Sequence, residues 1–290
     1  MQNRFSVVTP AAVWQRGDPG LVGLLASERL YKSLSLLLAC DAGVDIPPSL
    51  LLQSVKRAPI AKFAEEWGYP LMIRMDYRSR PNAKPLGGLP LYGLDTMQRV
   101  CEDLVSQGYA PLFHPHLDRF KDMFSCGVLL TRGDFEADVE VVGRGFDASD
   151  LRLGKAIPHE SFGLNLAAGN IERHTVIADE VYQRQRAARA KVVHKLKAYS
   201  NYVNRSGVLL SDLDQFDAES GETDDSKLLI PPHYEAMPNQ LLQKLLEIIG
   251  ILKSDVIAFL PNSEVYVASL SYLPVEGWVL WDVYGDWYQR

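Results

Sequence analysis

Between positions 74 and 84 the chain places Arg74, Arg78, Arg80 and Lys84, four cations within eleven residues, and closes the run with Gly87 and Gly88. These are the ingredients of a phosphate site. Guanidinium and ammonium groups neutralise the oxygens, and a backbone without side chains lets its N–H groups approach closely. Two glycines in a proline-rich stretch also make an ordinary turn, so on these residues alone both readings stand.

A second group lies in Gly143 to Glu160, which carries Arg144, Asp147, Asp150, Arg152, Lys155, His159 and Glu160. A charged loop after an apolar strand is a common place for substrate contacts, and Arg144 is the residue assigned to stabilise a phosphate or a substrate carboxylate. A solvated connection with local ion pairs is the alternative. His159 beside Glu160 has the groups for acid–base work. His114 and His116 flank Pro115 at a spacing that could turn both rings to one side of a strand as metal ligands, but no third ligand is near in sequence, and a hinge is the preferred reading. No Gly-x-Ser-x-Gly elbow, Walker lysine loop or dinucleotide fingerprint occurs. Cys40, Cys101 and Cys126 are odd in number and lack metal-ligand spacing, which argues against a disulfide framework or zinc cluster and makes a reducing, cytoplasmic location the expectation.

The elements that must position these groups show in the hydrophobic periodicity. Helices are expected over residues 27–43, with Ser27 as cap, over Pro59–Trp67, from Asp95 to Gln107, from Ile177 to Tyr199 and from Asn239 to Leu252. Strands are expected over Pro70–Tyr77, Leu89–Tyr92, Tyr109–His114, Phe124–Thr131, Phe135–Val142, Asp255–Leu260 and Glu264–Leu270. Residues 211–226, with seven acidic side chains, read as a surface loop, and the aromatic end, Trp278 to Tyr288, as core and rim or an oligomer contact. Across 290 residues, 30 basic side chains against 36 acidic ones give a net charge of −6, so no global field draws the chain to nucleic acid or to an anionic membrane. Any anion must be held by a local site. Apolar runs such as Leu36–Cys40 fall far short of the roughly 20 residues that span a bilayer, and the first twelve residues have no signal-peptide pattern.

In layout, residues 27–115 and 226–274 resemble the ATP-grasp superfamily of ATP-dependent carboxylate ligases. Ser27 to Ser49 looks like its opening lysine-bearing helix, followed by an extended Pro-containing segment. Glu65 to Asp76, EEWGYPLMIRMD, looks like its Gly-Tyr-Pro turn into a strand with a phosphate-binding cation, with Arg74 where the family usually has lysine. Lys84 to Leu89 looks like its glycine-rich lid, and Leu112 to His116 like the hinge that holds adenine. Ser254 to Pro274 is similar to its C-terminal metal motif, with Asp255 and Pro274 in place but Ser269 and Ser271 where Glu and Asn are expected.

The resemblance implies an α+β, two-lobed fold with a nucleotide cleft between antiparallel sheets. Residues 1–59 would form an N-terminal extension with the opening helix, 60–118 the small lobe and 119–290 the large one. It implies ATP as cofactor, contacted by Arg74, Lys84, Gly87, Gly88, Phe113 and His114, with Mg2+ held by Asp255 and with Glu140 or Asp282 compensating for the serines. Arg144 would face the transferring group. The implied activity is phosphorylation of a small-molecule or peptide carboxylate to an acyl phosphate, captured by an amine or thiol. The alternatives are a nucleotide-binding or scaffold protein that has lost its metal ligands, and an interaction protein, with a homo-oligomer as a further expected assembly.

Overall fold

In residues 71–77, Leu71, Ile73 and Met75 alternate with Met72, Arg74 and Asp76, and a period of two sends the two sets to opposite faces of a strand. That strand is β4 (Leu71–Tyr77), and it lies inside a six-stranded sheet. The structure is a computed structural model that describes residues 4–9, 12–77, 88–116, 123–133, 135–152, 154–210 and 230–285. Lys84, Gly87, Arg78, Arg80, the acidic stretch 211–226 and the last aromatic residues, Trp287 and Tyr288, lie outside these residues. The chain divides into two units, one of residues 1–37, 47–116 and 191–223, the other of residues 38–46, 117–190 and 224–290.

The first unit contains β1 (Phe5–Val8), β2 (Val13–Gln15), α1 (Leu21–Ser27), the start of α2 (Tyr31–Asp41), β3 (Ser49–Leu52), α3 (Arg57–Trp67), β4, β5 (Leu89–Leu91), α4 (Leu94–Ser106) and β6 (Tyr109–Pro115). Its sheet runs in the order β2-β1-β3-β6-β4-β5, with β1 and β3 parallel and the other pairs antiparallel. Met97, Val100, Cys101 and Leu104 recur at helical spacing on α4 and are buried. They pack with Ile60 and Phe63 of α3 on the face that carries Leu50, Leu71, Ile73 and Phe113. The opposite face meets the start of α2, where the buried Asp76 carboxylate accepts the Ser33 N–H at 2.8 Å and Lys32 Nζ donates to Met75 O at 3.0 Å. A carboxylate at a helix N-terminus satisfies an orphan donor and opposes the positive end of the dipole.

The second unit contains β7 (Phe124–Leu130), β8 (Glu136–Gly143), α5 (Ala148–Arg152), β9 (Glu160–Asn165), β10 (Asn170–Val176), the start of α6 (Asp179–Ser206), α7 (Asn239–Ile251), β11 (Tyr266–Leu273) and β12 (Gly277–Gly285). Its antiparallel sheet has the order β10-β9-β8-β7-β11-β12. Cys126, Val128, Val139, Val141, Leu270 and Leu280 are buried on one face. Trp278 is buried as well and donates its indole N–H to Leu241 O of α7 at 3.0 Å, so this part of the aromatic end is core. No helix of the described residues is long and apolar enough to cross a membrane.

The expected α+β fold of two mostly antiparallel sheets is present, and three local expectations are corrected. The helix expected over 27–43 is shorter, Tyr31–Asp41, because Ser27 ends α1 and Arg29, with φ 56°, separates the two. The Ser27 hydroxyl donates to Leu24 O at 2.9 Å rather than capping. Asp255–Leu260 is not a strand: it continues α7 through a π-helical turn, Leu252–Val256, and a 3-10 turn, Ile257–Phe259. Leu252, Val256 and Ile257 are buried from a helical arrangement, and so short an apolar run carries no period that separates helix from strand. Residues before 60 contribute β1 and β3 to the sheet that holds β4 to β6. Replacing Asp76 by Ala is expected to lower the stability of the chain by about 2 kcal/mol in urea unfolding, from the loss of the charged hydrogen bond and the dipole interaction, and Asp76→Asn by less.

Candidate functional site

In the first unit, pairing registers Met72 with His114 and Arg74 with Leu112. Arg74, Met72 and His114 therefore share one face, and Phe113 takes the other. Arg74 is half-buried there. The connection that begins after Tyr77 returns at Gly88, whose N–H donates to Ile73 O at 2.6 Å with φ 79°, a conformation that suits glycine. Of the glycine-rich loop only this exit is described. The Phe113 side chain is fully buried among Leu50, Phe63, Leu71 and Leu104, on the face away from Arg74. His114 is buried too, with Nδ1 3.0 Å from the Ser49 hydroxyl, whereas Nδ1 of His116 lies 3.1 Å from the Met72 sulfur. The two rings thus serve different partners and form no metal pair.

In the second unit, Ser269 pairs with Gly127 on one side and Asp282 on the other, and Gly127 pairs with Glu140, which pairs with Ser161. Asp282, Ser269, Gly127, Glu140 and Ser161 consequently form one transverse row on the sheet. At about 4.8 Å per strand, Glu140 and Asp282 are roughly 14 Å apart along it. One ion cannot bridge them. Burial, and secondarily the charge of Asp138, raises the carboxyl pKa of Glu140. Asp138 is itself exposed and ion-paired with Arg173 at 2.7 Å. Asp255 is exposed on its helical turn, where it accepts a hydrogen bond from Ser254 Oγ at 2.7 Å. Among the described residues no three His, Cys, Asp or Glu side chains gather as a metal site. Magnesium needs about six oxygens but is often held by one or two carboxylates plus phosphates and water, so among the described residues these carboxylates offer an ion single ligands and not an acidic cage.

One row along, Ser271 pairs with Ser125, and their hydroxyls are 2.8 Å apart and buried. Val142 occupies the same face beside Ser125 and packs with Leu151 of α5, Phe146, Tyr182 and Ile230. The Ser271 hydroxyl is thereby engaged inside the protein, beneath α5.

Arg144 sits half-buried in the turn that leaves β8. The turn is held from below. Arg189, buried on α6, donates to Gly145 O at 3.0 Å and pairs with Asp150 at 2.9 Å, and Asp150 in turn accepts the Asp147 N–H at 3.0 Å. Gly145 has φ 87°, and a Cβ there would lie 2.5 Å from Ile230, so no other residue fits without displacement. Glu160 is 1% exposed and accepts from the Tyr234 hydroxyl at 2.7 Å and the Met237 N–H at 2.8 Å, with His174 Nε2 2.6 Å away. Burial, and after it the hydrogen bond to Glu160, raises the pKa of Tyr234. His159 points elsewhere: its Nδ1 accepts the Gly143 N–H at 3.0 Å, and its ring packs edge-on against Phe146, Tyr182 and Tyr234. Neither Arg189 nor the partners of Glu160 stand out in the sequence, because they lie 14 to 77 residues from the groups they serve.

Burial lowers the pKa of His159 to about 4 from an ordinary 6.5. Above pH 6.5 its ring is neutral whether the chain is folded or not. As pH falls from 6.5 to about 4 the unfolded ring takes up a proton that the folded ring refuses, so stability is lost over that window. At about 1.4 kcal/mol per pH unit, the loss relative to a His159→Phe chain is roughly 3 kcal/mol, to be read from unfolding curves of both proteins between pH 7 and 4.

No protein-family model and no curated protein matches the chain. Among solved structures it is similar to N5-carboxyaminoimidazole synthase from Aspergillus clavatus in complex with ADP and 5-aminoimidazole ribonucleotide, at 12% identity and TM-score 0.42 over 92% of this chain and 50% of that one. It is also similar to macrocyclase MdnC from Microcystis aeruginosa bound with precursor peptide MdnA, at 10% identity and TM-score 0.39 over 92% and 55%. A third is the ATP-grasp ligase PsnB with minimal precursor, Mg and ADP, at 12% identity and TM-score 0.37 over 89% and 51%. The chain spans about half the length of the solved chains it matches. Solved ATP-grasp structures are thus what this mixed α+β chain is similar to.

Proposed function

We propose that the chain binds ATP in the manner of an ATP-grasp protein and acts as an ATP-dependent ligase. The observation that carries the reading is Arg74, presented by β4 one strand away from the exit of the glycine-rich connection at Gly88. A guanidinium fixed on a strand neutralises phosphate oxygens without having to be ordered on binding. In this reading Lys84, Gly87 and Gly88 are the further phosphate contacts, and Arg144, in the turn braced by the Arg189–Asp150 pair, is the cation assigned to the transferring group. A carboxylate oxygen of a small molecule or peptide attacks the terminal phosphorus and ADP leaves. The amine or thiol acceptor then attacks the acyl carbon, inorganic phosphate departs, and the acceptor's proton passes to solvent. Magnesium, when bound, offsets the charge of the phosphates, with Glu140 as its protein ligand. Positioning and electrostatics, more than covalent chemistry by the protein, supply the rate.

A second reading, a nucleotide-binding protein without turnover, is favoured by one observation: the Ser271 hydroxyl, at the position where the family would place a metal-binding amide, is bonded to Ser125 and buried. Calorimetric titration of ATP with and without magnesium separates the two. A ligase is expected to bind ATP more tightly with magnesium and to release ADP when offered a carboxylate and an amine, and Glu140→Gln should abolish that release. A protein without turnover binds ATP equally in both conditions and releases none. In either case Arg74→Ala is expected to weaken ATP about tenfold, the loss of one charged hydrogen bond. Absence of any ATP binding rejects both.

A further inference from the structure

The first unit has a groove on the face of its sheet opposite Arg74. It lies between the β2-β1-β3 edge and α3, with a volume of about 400 Å³, within the roughly 300–1,000 Å³ of small-molecule sites. Val13, Leu50 and Phe63 make apolar walls, Ser6 of β1 lies at its floor, and Ala58 and Lys62 face it from α3. Ser6 is 4% exposed, and among the described residues its hydroxyl has no hydrogen-bond partner. A buried hydroxyl left unpaired is destabilising, and a polar ligand atom in the groove would satisfy it.

Of the other polar side chains that line the groove, Gln15 is neutral and Arg4 and Lys62 are positive. Ala58 belongs to the first turn of α3, an eleven-residue helix whose N-cap, Lys56, makes no side-chain cap bond and whose first turn has no acidic residue. That end carries the positive pole of the helix dipole and favours an anion. Lys62 stands one turn further on the same side of the helix and is exposed. Glu66, a turn beyond that, is the one negative group on this stripe, and its charge is matched by Arg4.

We propose that this groove binds a small amphiphilic carboxylate, its apolar body against Leu50 and Phe63, its carboxylate between the first turn of α3 and Lys62, and one oxygen accepting the Ser6 hydroxyl. It is a site separate from the nucleotide's, since the pleat of the sheet turns Arg74 to the other face.

Isothermal titration of the full chain with 4-phenylbutyrate, without nucleotide, tests this independently of ATP binding. The acid is expected to bind saturably, one per chain, and at least tenfold more tightly than the uncharged 4-phenylbutanol, the worth of one charged contact. Acetate, lacking the apolar body, is expected to give no saturable heat at the same concentrations. Lys62→Glu should weaken phenylbutyrate at least tenfold, and Ala58→Trp, which fills the groove from an exposed helix position, should abolish binding; circular dichroism verifies that both chains are folded. No saturable binding, equal binding of acid and alcohol, or binding that survives both substitutions would overturn the proposal.

Discussion

A strand offers each side chain two directions, and that restriction governs which of the chemistry-bearing residues in this chain can act together. In the first sheet it separates Arg74 and His114 from Phe113, although two of the three are adjacent in sequence. In the second it collects Glu140, Ser161, Ser269 and Asp282 from four strands into one row, while Val139 and Val141 on either side of Glu140 close the core. A shift of one residue in β8 would exchange the two sets. The buried valines forbid that shift, so the apolar half of each strand fixes where the polar half points.

The second constraint is that buried charge must be answered. Asp76, Asp150 and Glu160 are all buried, and each is met by donors from another element: the first turn of α2, the Arg189 guanidinium of α6, and a tyrosine with a backbone N–H from the stretch before α7. Each carboxylate ties a strand or loop that carries a site residue to a helix or neighbouring segment. Asp76 sits two positions from Arg74, and Asp150 holds the turn that carries Arg144. Such pairs add little net stability over apolar replacements, but leaving one partner alone is costly, which makes them strong determinants of local geometry.

What could be read from the chain follows from the same physics. α3, α4, α7, β4 and the β7–β8 hairpin were legible because their apolar residues recur at one clear period over seven or more positions. The run from Asp255 to Leu260 is too short to show a period, and it folds as a continuation of α7. Strands β9 and β10 were not anticipated, since β10 is exposed throughout and its Glu172, Arg173 and His174 resemble loop composition. The resemblance to a known layout marked the segment 112–116 but could not say which of its residues face inward. Arg189 and Asp150 are 39 positions apart, and only the fold makes them partners.

The hydroxyl pair between Ser125 and Ser271 bears on how the second sheet could change over time. Exchanging Ser271 for a larger amide would keep a group able to bond the Ser125 hydroxyl but would crowd the space under α5. The side chains at 125 and in the helix above therefore form one packing unit with it, and a change of volume at any member is felt by the others.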